Sequence, residues 1–180
     1  MRVLIDACVL YPTVMREIVL GCARARLFEP RWSARICEEW ARAAARLGAD
    51  GETYARGEIA RLNIEFPRAV IAHNGALDQQ LWLPDKNDIH VFSSAVSGFC
   101  DAILTSNAKD FPRNILAEQD LQRLDPDGFL MSLFVDHDTV VEQVANTVLT
   151  EAIRLSGQEW TMRKLLRKAR LPRLGKALDH

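Results

Sequence analysis

Three short apolar runs limit what this chain can fold into: RVLI at 2–5, AVIA at 69–72 and AILT at 102–105. Each is too short for a core helix, and each is predominantly apolar, so each reads as a buried strand. Helix-length segments lie between them. Val14, Ile18, Cys22 and Ala25 recur at spacings of four and three, which predicts a helix over 13–27. EPRWS interrupts, and Ser33 reads as the N-cap of a helix over 34–48. Ala55, Ile59, Leu62 and Phe66 mark another over 52–65. A short helix fits NGALDQQLW, and a longer one starts near Asn87 with Ile89, Phe92, Val96 and Phe99 turned inward. A fourth strand fits LQRL at 121–124. Strands alternating with helices predict parallel pairing through right-handed crossovers, an α/β/α sandwich. From about Pro126 the chain reads as helical, over 127–134, 138–155 and 159–170. The expected division is a domain at 1–130 and a helical C-terminal extension at 131–180.

Four cysteines, Cys8, Cys22, Cys37 and Cys100, form no C-x-x-C pair, which predicts reduced thiols in a cytoplasmic protein. MRVLID is too short and too soon acidic for a signal peptide, and no apolar run is long enough to span a membrane. The net charge of −1 conceals an asymmetry. Arg163, Lys164, Arg167, Lys168, Arg170, Arg173 and Lys176 follow one another without an intervening acid, so the rest of the chain is strongly acidic. Such a tail suits phosphate groups. It also fits a solvated helix face whose Trp160, Leu165, Leu166 and Leu171 dock on the core or on a second subunit.

Carboxylates gather at the ends of the buried elements. Asp6 follows the first strand, Asn107 and Asp110 follow the third, and Asp85 and Asp88 open the helix leading into it. Ligands of open parallel sheets bind beyond the carboxyl ends of strands. The 34–48 helix adds an acid. With Ile36, Trp40, Ala43 and Leu47 as its buried face, Glu39 falls on or beside that face. Glu38, about 200° from Ile36, turns to water. Each acid alone has a plain structural explanation: an Asx turn at Asp6, helix-dipole stabilisation at Asp88, a turn at Asp110. Together they conflict electrostatically unless a hard cation joins them. Oxygen ligands suit Mg²⁺ or Mn²⁺, which activate water and hold phosphate oxygens. No phosphate-binding glycine loop, H-E-x-x-H or G-x-S-x-G occurs. His73, His90, His137 and His180 are scattered, and His90 reads as a hydrogen-bonded structural histidine.

In order and spacing, VLIDACVLYP, RWSARICEEW, FPRAVI, LPDKNDIHVFSSAV, AILTSNAKDFP and DPDGFL resemble the PIN-domain ribonucleases, in particular the branch that includes VapC-like toxins of bacterial toxin–antitoxin pairs. The resemblance implies a Mg²⁺- or Mn²⁺-dependent endoribonuclease on a three-layer α/β/α fold, with RNA as substrate and an antitoxin as protein partner. It matches Asp6, Glu39 and Asp88 to the first three acidic positions, with Asp85 a weaker neighbour and Thr105 an accessory hydroxyl. The fourth position falls where this chain has Asn107, so Asp110 supplies the charge in its place. Beyond about residue 135 the resemblance ends, and an RNA role for Arg163, Lys164, Arg167, Lys168 and Arg170 rests on charge.

Two other readings compete with the nuclease. Asn107 in place of an acid fits a catalytically inactive module that binds RNA or protein. Asp6, Thr105 and Lys109 loosely fit a phosphoreceiver, but AVIAHNG offers no phospho-accepting aspartate. The sequence leaves oligomeric state open, a homodimer included.

Overall fold

A computed structural model of the protein describes residues 1–179. In chain order its elements are β1 (Arg2–Ile5), α1 (Ala7–Leu10), α2 (Thr13–Arg24), β2 (Glu29–Ser33), α3 (Ala34–Ala44), α4 (Ala49–Glu65), β3 (Val70–Ile71) and α5 (Gly75–Asp78). Then come α6 (Ile89–Ser97), β4 (Ala102–Leu104), α7 (Arg113–Ala117), β5 (Gln122–Leu124), α8 (Pro126–Asp136), α9 (Asp138–Ser156), α10 (Met162–Lys168) and α11 (Pro172–Ala177). They form two compact units. One comprises Met1–Tyr11 and Glu29–Leu124, the other Pro12–Phe28 and the chain from Asp125 on.

The first unit is built on a parallel sheet of order β3-β2-β1-β4-β5. Val3, Leu4, Ile5, Ala102, Ile103 and Leu104 are wholly buried, as the apolar runs require. The chain starts in the middle, steps outward to β2 and β3, then crosses to β4 and β5 on the other side. Right-handed crossovers therefore place helices on opposite faces, giving the expected α/β/α fold. The reversal lies between β1 and β4, whose carboxyl ends bound a crevice.

Strand β2 lies where the sequence reads only as an interruption. Proline in a central strand normally argues against strand, yet Pro30 pairs in register with Val3. Its missing N–H has no consequence, because β3 begins opposite Trp32 and does not reach Pro30. The next bond on that side, from Trp32 N to Ala69 O at 2.9 Å, is intact. The predicted face of the 34–48 helix also shifts. The α-helix yields to a 3-10 turn at Ala45, so Leu47 is exposed and Ile36, Cys37, Trp40, Ala41 and Ala44 are buried.

The second unit is helical. Phe28 packs edge-on to Phe129 with centroids 5.1 Å apart. Asp125 caps α8 by accepting from Gly128 N, and buried Asp127 accepts from the N–H groups of Arg173 and Leu174, tying α11 to α8. Leu165, Leu166, Leu171, Leu174 and Leu178 are buried, while Arg163, Lys164, Arg167, Lys168, Arg170, Arg173 and Lys176 are exposed.

Candidate metal centre

Asp6 immediately follows β1, at the crevice between β1 and β4. It starts α1 yet makes no side-chain capping bond, so an Asx turn does not account for it. It is 8% exposed. Its Oδ2 accepts from Thr105 Oγ1 at 2.7 Å and from the Cys8 thiol at 3.0 Å. Thr105, buried just past β4, is fixed in turn by accepting from Asn107 N at 3.0 Å. Burial, and next the charge of Asp6, push the Cys8 thiol up to about 12, which keeps it a protonated donor to the carboxylate. The other Asp6 oxygen, Oδ1, accepts no hydrogen bond among the described residues.

Asp88 begins α6 and likewise leaves the helix end uncapped by its side chain. Asp85 does cap, accepting from Asn87 N at 2.9 Å. Asp85, Asp88 and Asp110 each present a carboxylate oxygen, all within 4.8 Å of one another. Asp110 accepts no hydrogen bond among the described residues, which leaves its turn-former explanation without support from its side chain. The Asp88 carboxyl is pushed up to about 6, first by burial and then by the charges of Asp6, Asp85, Asp110 and Glu39. Four other acids thus act on Asp88. Asn107 donates from Nδ2 to Asp88 Oδ2 at 3.3 Å, so in place of a further charge near Asp88 the chain has an amide that orients it.

Glu39 and Glu38 are equally exposed, each side chain at 37%, so burial does not separate them as helical phase predicts. Direction does. Glu39 turns toward α6, its Oε1 lying 2.7 Å from His90 Nε2 and 3.6 Å from Arg35 Nε. Glu38 turns toward α4 and is held by Arg56 at 2.9 Å and Arg42 at 3.0 Å. Those bonds, from Arg56 first and Arg42 next, lower its carboxyl to about 2. The expectation that Glu38 faces open water is thus corrected: it belongs to a surface ion-pair network.

The donor set fits a hard divalent cation. It offers oxygen ligands, and its crowded charges would be relieved by a cation. A family model of the PIN domain matches residues 2–109, which span β1 through the Asn107 loop. The chain belongs to the PIN-domain family. PIN domains are typically metal-dependent nucleases, and the acidic cluster here fits that activity. The phosphoreceiver alternative falls with this assignment. No curated protein and no solved structure matches the chain.

Three features of this PIN-domain site differ from the sequence reading or go beyond it. Asp85 stands fully within the carboxylate trio. Cys8 is a donor to Asp6, which its i+2 position in DAC could have signalled. His90, expected to be hydrogen-bonded, is 2% exposed and makes no hydrogen bond through either ring nitrogen. The 2.7 Å contact to Glu39 is close but lies off hydrogen-bond alignment.

Proposed function

We propose that this protein is a Mg²⁺- or Mn²⁺-dependent endoribonuclease, the toxin component of a type II toxin–antitoxin module. The observation that carries the nuclease reading is the carboxylate trio Asp85, Asp88 and Asp110, with Asp6 and Glu39 close enough to help raise Asp88 to about 6. Asp6, Glu39, Asp88 and Asp110 would hold the ion, with Asp85 as an additional ligand. When bound, the ion lowers the pKa of water and offsets charge building on phosphate oxygens.

The protein's own groups set the geometry. Thr105 and Cys8 occupy Asp6 Oδ2 and leave Oδ1 to face a ligand. Asn107 Nδ2 fixes Asp88 Oδ2, and Asp110 orients the attacking water. Attack by water at phosphorus breaks the bond to the 3′ oxygen, leaving 5′-phosphate and 3′-hydroxyl ends. Arg163, Lys164, Arg167, Lys168 and Arg170 would bind the RNA backbone, supported by their exposure on α10 and the turn after it. In this reading residues 1–130 carry the nuclease motifs and 131–180 the basic extension. The toxin role, an antitoxin partner, a cytoplasmic location and homodimerisation rest on the motif resemblance and composition. No described helix is long and apolar enough to cross a membrane.

The neutral Asn107 beside Asp88 favours a second reading, an inactive RNA- or protein-binding module. Incubating purified protein with RNA in Mg²⁺, Mn²⁺ or EDTA, followed by end-group mapping, separates the two. Metal-dependent fragments with 5′-phosphates support the nuclease, and binding without cleavage supports the module. A small DNA-binding protein encoded next to this chain would support the toxin role.

A further inference from the structure

His90 sits in the first turn of α6 among buried Val91, Phe92 and Ser93. A buried imidazole whose nitrogens lack hydrogen bonds is an unfavourable core residue, which an apolar side chain would replace without that penalty. Among the described residues, its one ion-pair contact is with Glu39 Oε1, at 2.7 Å from Nε2. Arg35 Nε approaches the same oxygen at 3.6 Å. Both basic groups thus converge on Oε1, and Oε2 has no ion-pair or hydrogen-bond partner among the described residues. Arg35 is half exposed and bonds at 3.5 Å to Asn87 O, so it is the more weakly held partner. His90 is immobile.

We propose that His90 is a positioning residue for Glu39. Its Nε2, 2.7 Å from Oε1 but off hydrogen-bond alignment, holds that oxygen by close polar contact and thereby presents the other, Oε2, to a divalent cation. This inference rests on the metal-dependent reading of the site. It gives α6 a second role, since Asp88 at its start supplies a ligand and His90 two residues on orients one supplied by α3. An imidazole bound to a ligating carboxylate sets the direction of the ligand, and loss of such an outer partner weakens metal affinity by about 10–100-fold.

The test measures Mn²⁺ affinity, by electron paramagnetic resonance of free Mn²⁺, for wild type, His90→Leu, His90→Gln, Glu39→Gln and the double variant His90→Leu/Glu39→Gln. His90→Leu is expected to melt in EDTA no lower than wild type, because it removes unpartnered buried nitrogens, and yet to bind Mn²⁺ about 10–100-fold more weakly. His90→Gln, whose amide can donate to Oε1, should recover part of the loss. Saturating Mn²⁺ should restore RNA cleavage by His90→Leu toward the wild-type rate with KM for RNA unchanged. In the Glu39→Gln background, His90→Leu should add nothing, since its effect passes through that carboxylate. Unchanged Mn²⁺ affinity in folded His90→Leu overturns the proposal, as does a full His90 effect persisting without Glu39. If His90→Leu does not fold, His90→Gln decides: affinity between those of wild type and Glu39→Gln supports the role, and affinity equal to that of Glu39→Gln overturns it. Absence of Mn²⁺ binding by wild type itself removes the metal-dependent reading and this inference with it. Binding by wild type that Asp88→Asn abolishes and His90→Leu leaves intact removes the inference alone.

Discussion

Replacing Asp88 by Asn should stabilise the metal-free protein near neutral pH and leave its stability near pH 4 unchanged. The cause is the like-charge crowding around this carboxyl. Its pKa rises from 3.8 to about 6 on folding, through burial first and then Asp6, Asp85, Asp110 and Glu39. The folded state therefore holds this proton more tightly than the unfolded chain, and stability falls as pH rises from about 4 to about 6. A tenfold change in proton affinity corresponds to about 1.4 kcal/mol, which caps the effect at about 3 kcal/mol. Asp88 is half exposed, and screening by water reduces the expected gain to about 1 kcal/mol. For a chain of this size that raises Tm by about 2–4 °C. The assay is urea and thermal denaturation of wild type and Asp88→Asn in EDTA, at about pH 4 and about pH 7.5. Asparagine keeps an acceptor for Asn107 Nδ2, so the comparison isolates charge. Excess Mn²⁺ should reverse the order at neutral pH, because only the wild type gains full binding energy. A gain of equal size at both pH values, or none at neutral pH, would refute the reasoning.

Adjacent glutamates should separate by direction. Glu39→Gln is expected to lower cleavage at least about 100-fold, the scale of a lost ligand or its partner, while Glu38→Gln leaves cleavage near wild type and loosens only the Arg42–Arg56 network. Equal losses in a cleavage assay would show that helical phase does not sort them. On the tail, Lys164→Gln, Arg167→Gln and Arg170→Gln combined should flatten the salt dependence of single-stranded RNA binding by about 2 in log–log slope, at about 0.7 per lost phosphate contact. An unchanged slope in filter-binding titrations would remove these residues from the RNA interface. Substitution is the right perturbation here. Truncation before Trp160 would strip Leu165, Leu166, Leu171 and Leu174 from the core of the second unit and confound binding with stability.

Two of the three apolar runs were legible in full: β1 and β4 are buried outright, and their carboxyl ends place Asp6 and Thr105 together, whereas AVIA forms only the two-residue edge strand β3, whose Val70 is exposed. Strand β2 was not legible, because its in-register proline and flanking Glu29 and Arg31 carry a turn-like composition. Only the short reach of β3 makes Pro30 harmless. At the site, the acids could be named from position, since residues at strand ends and helix starts converge by topology. Whether each acid was already occupied by capping could not. The structure shows Asp85 capping while Asp6 and Asp88 do not. Nor could the sequence pair His90 with Glu39, whose contact joins two helices 51 positions apart in numbering and depends on their packing. In the tail, charge alone fitted either an RNA surface or a docked helix. The structure shows leucines docked and cations outward, so the two readings are compatible.

The central claim, that a carboxylate cluster at the β1–β4 crevice drives metal-dependent RNA cleavage, is tested most directly on Asp6→Asn. Its hydrogen bonds from Thr105 and Cys8 can be retained by the carboxamide oxygen, so the fold should be preserved by circular dichroism while the charge is lost. Wild type should cleave RNA in Mg²⁺ or Mn²⁺ and stop in EDTA, and folded Asp6→Asn should not cleave detectably under any of these conditions. Cleavage by wild type that persists in EDTA, or cleavage by Asp6→Asn at the wild-type rate, would contradict the account.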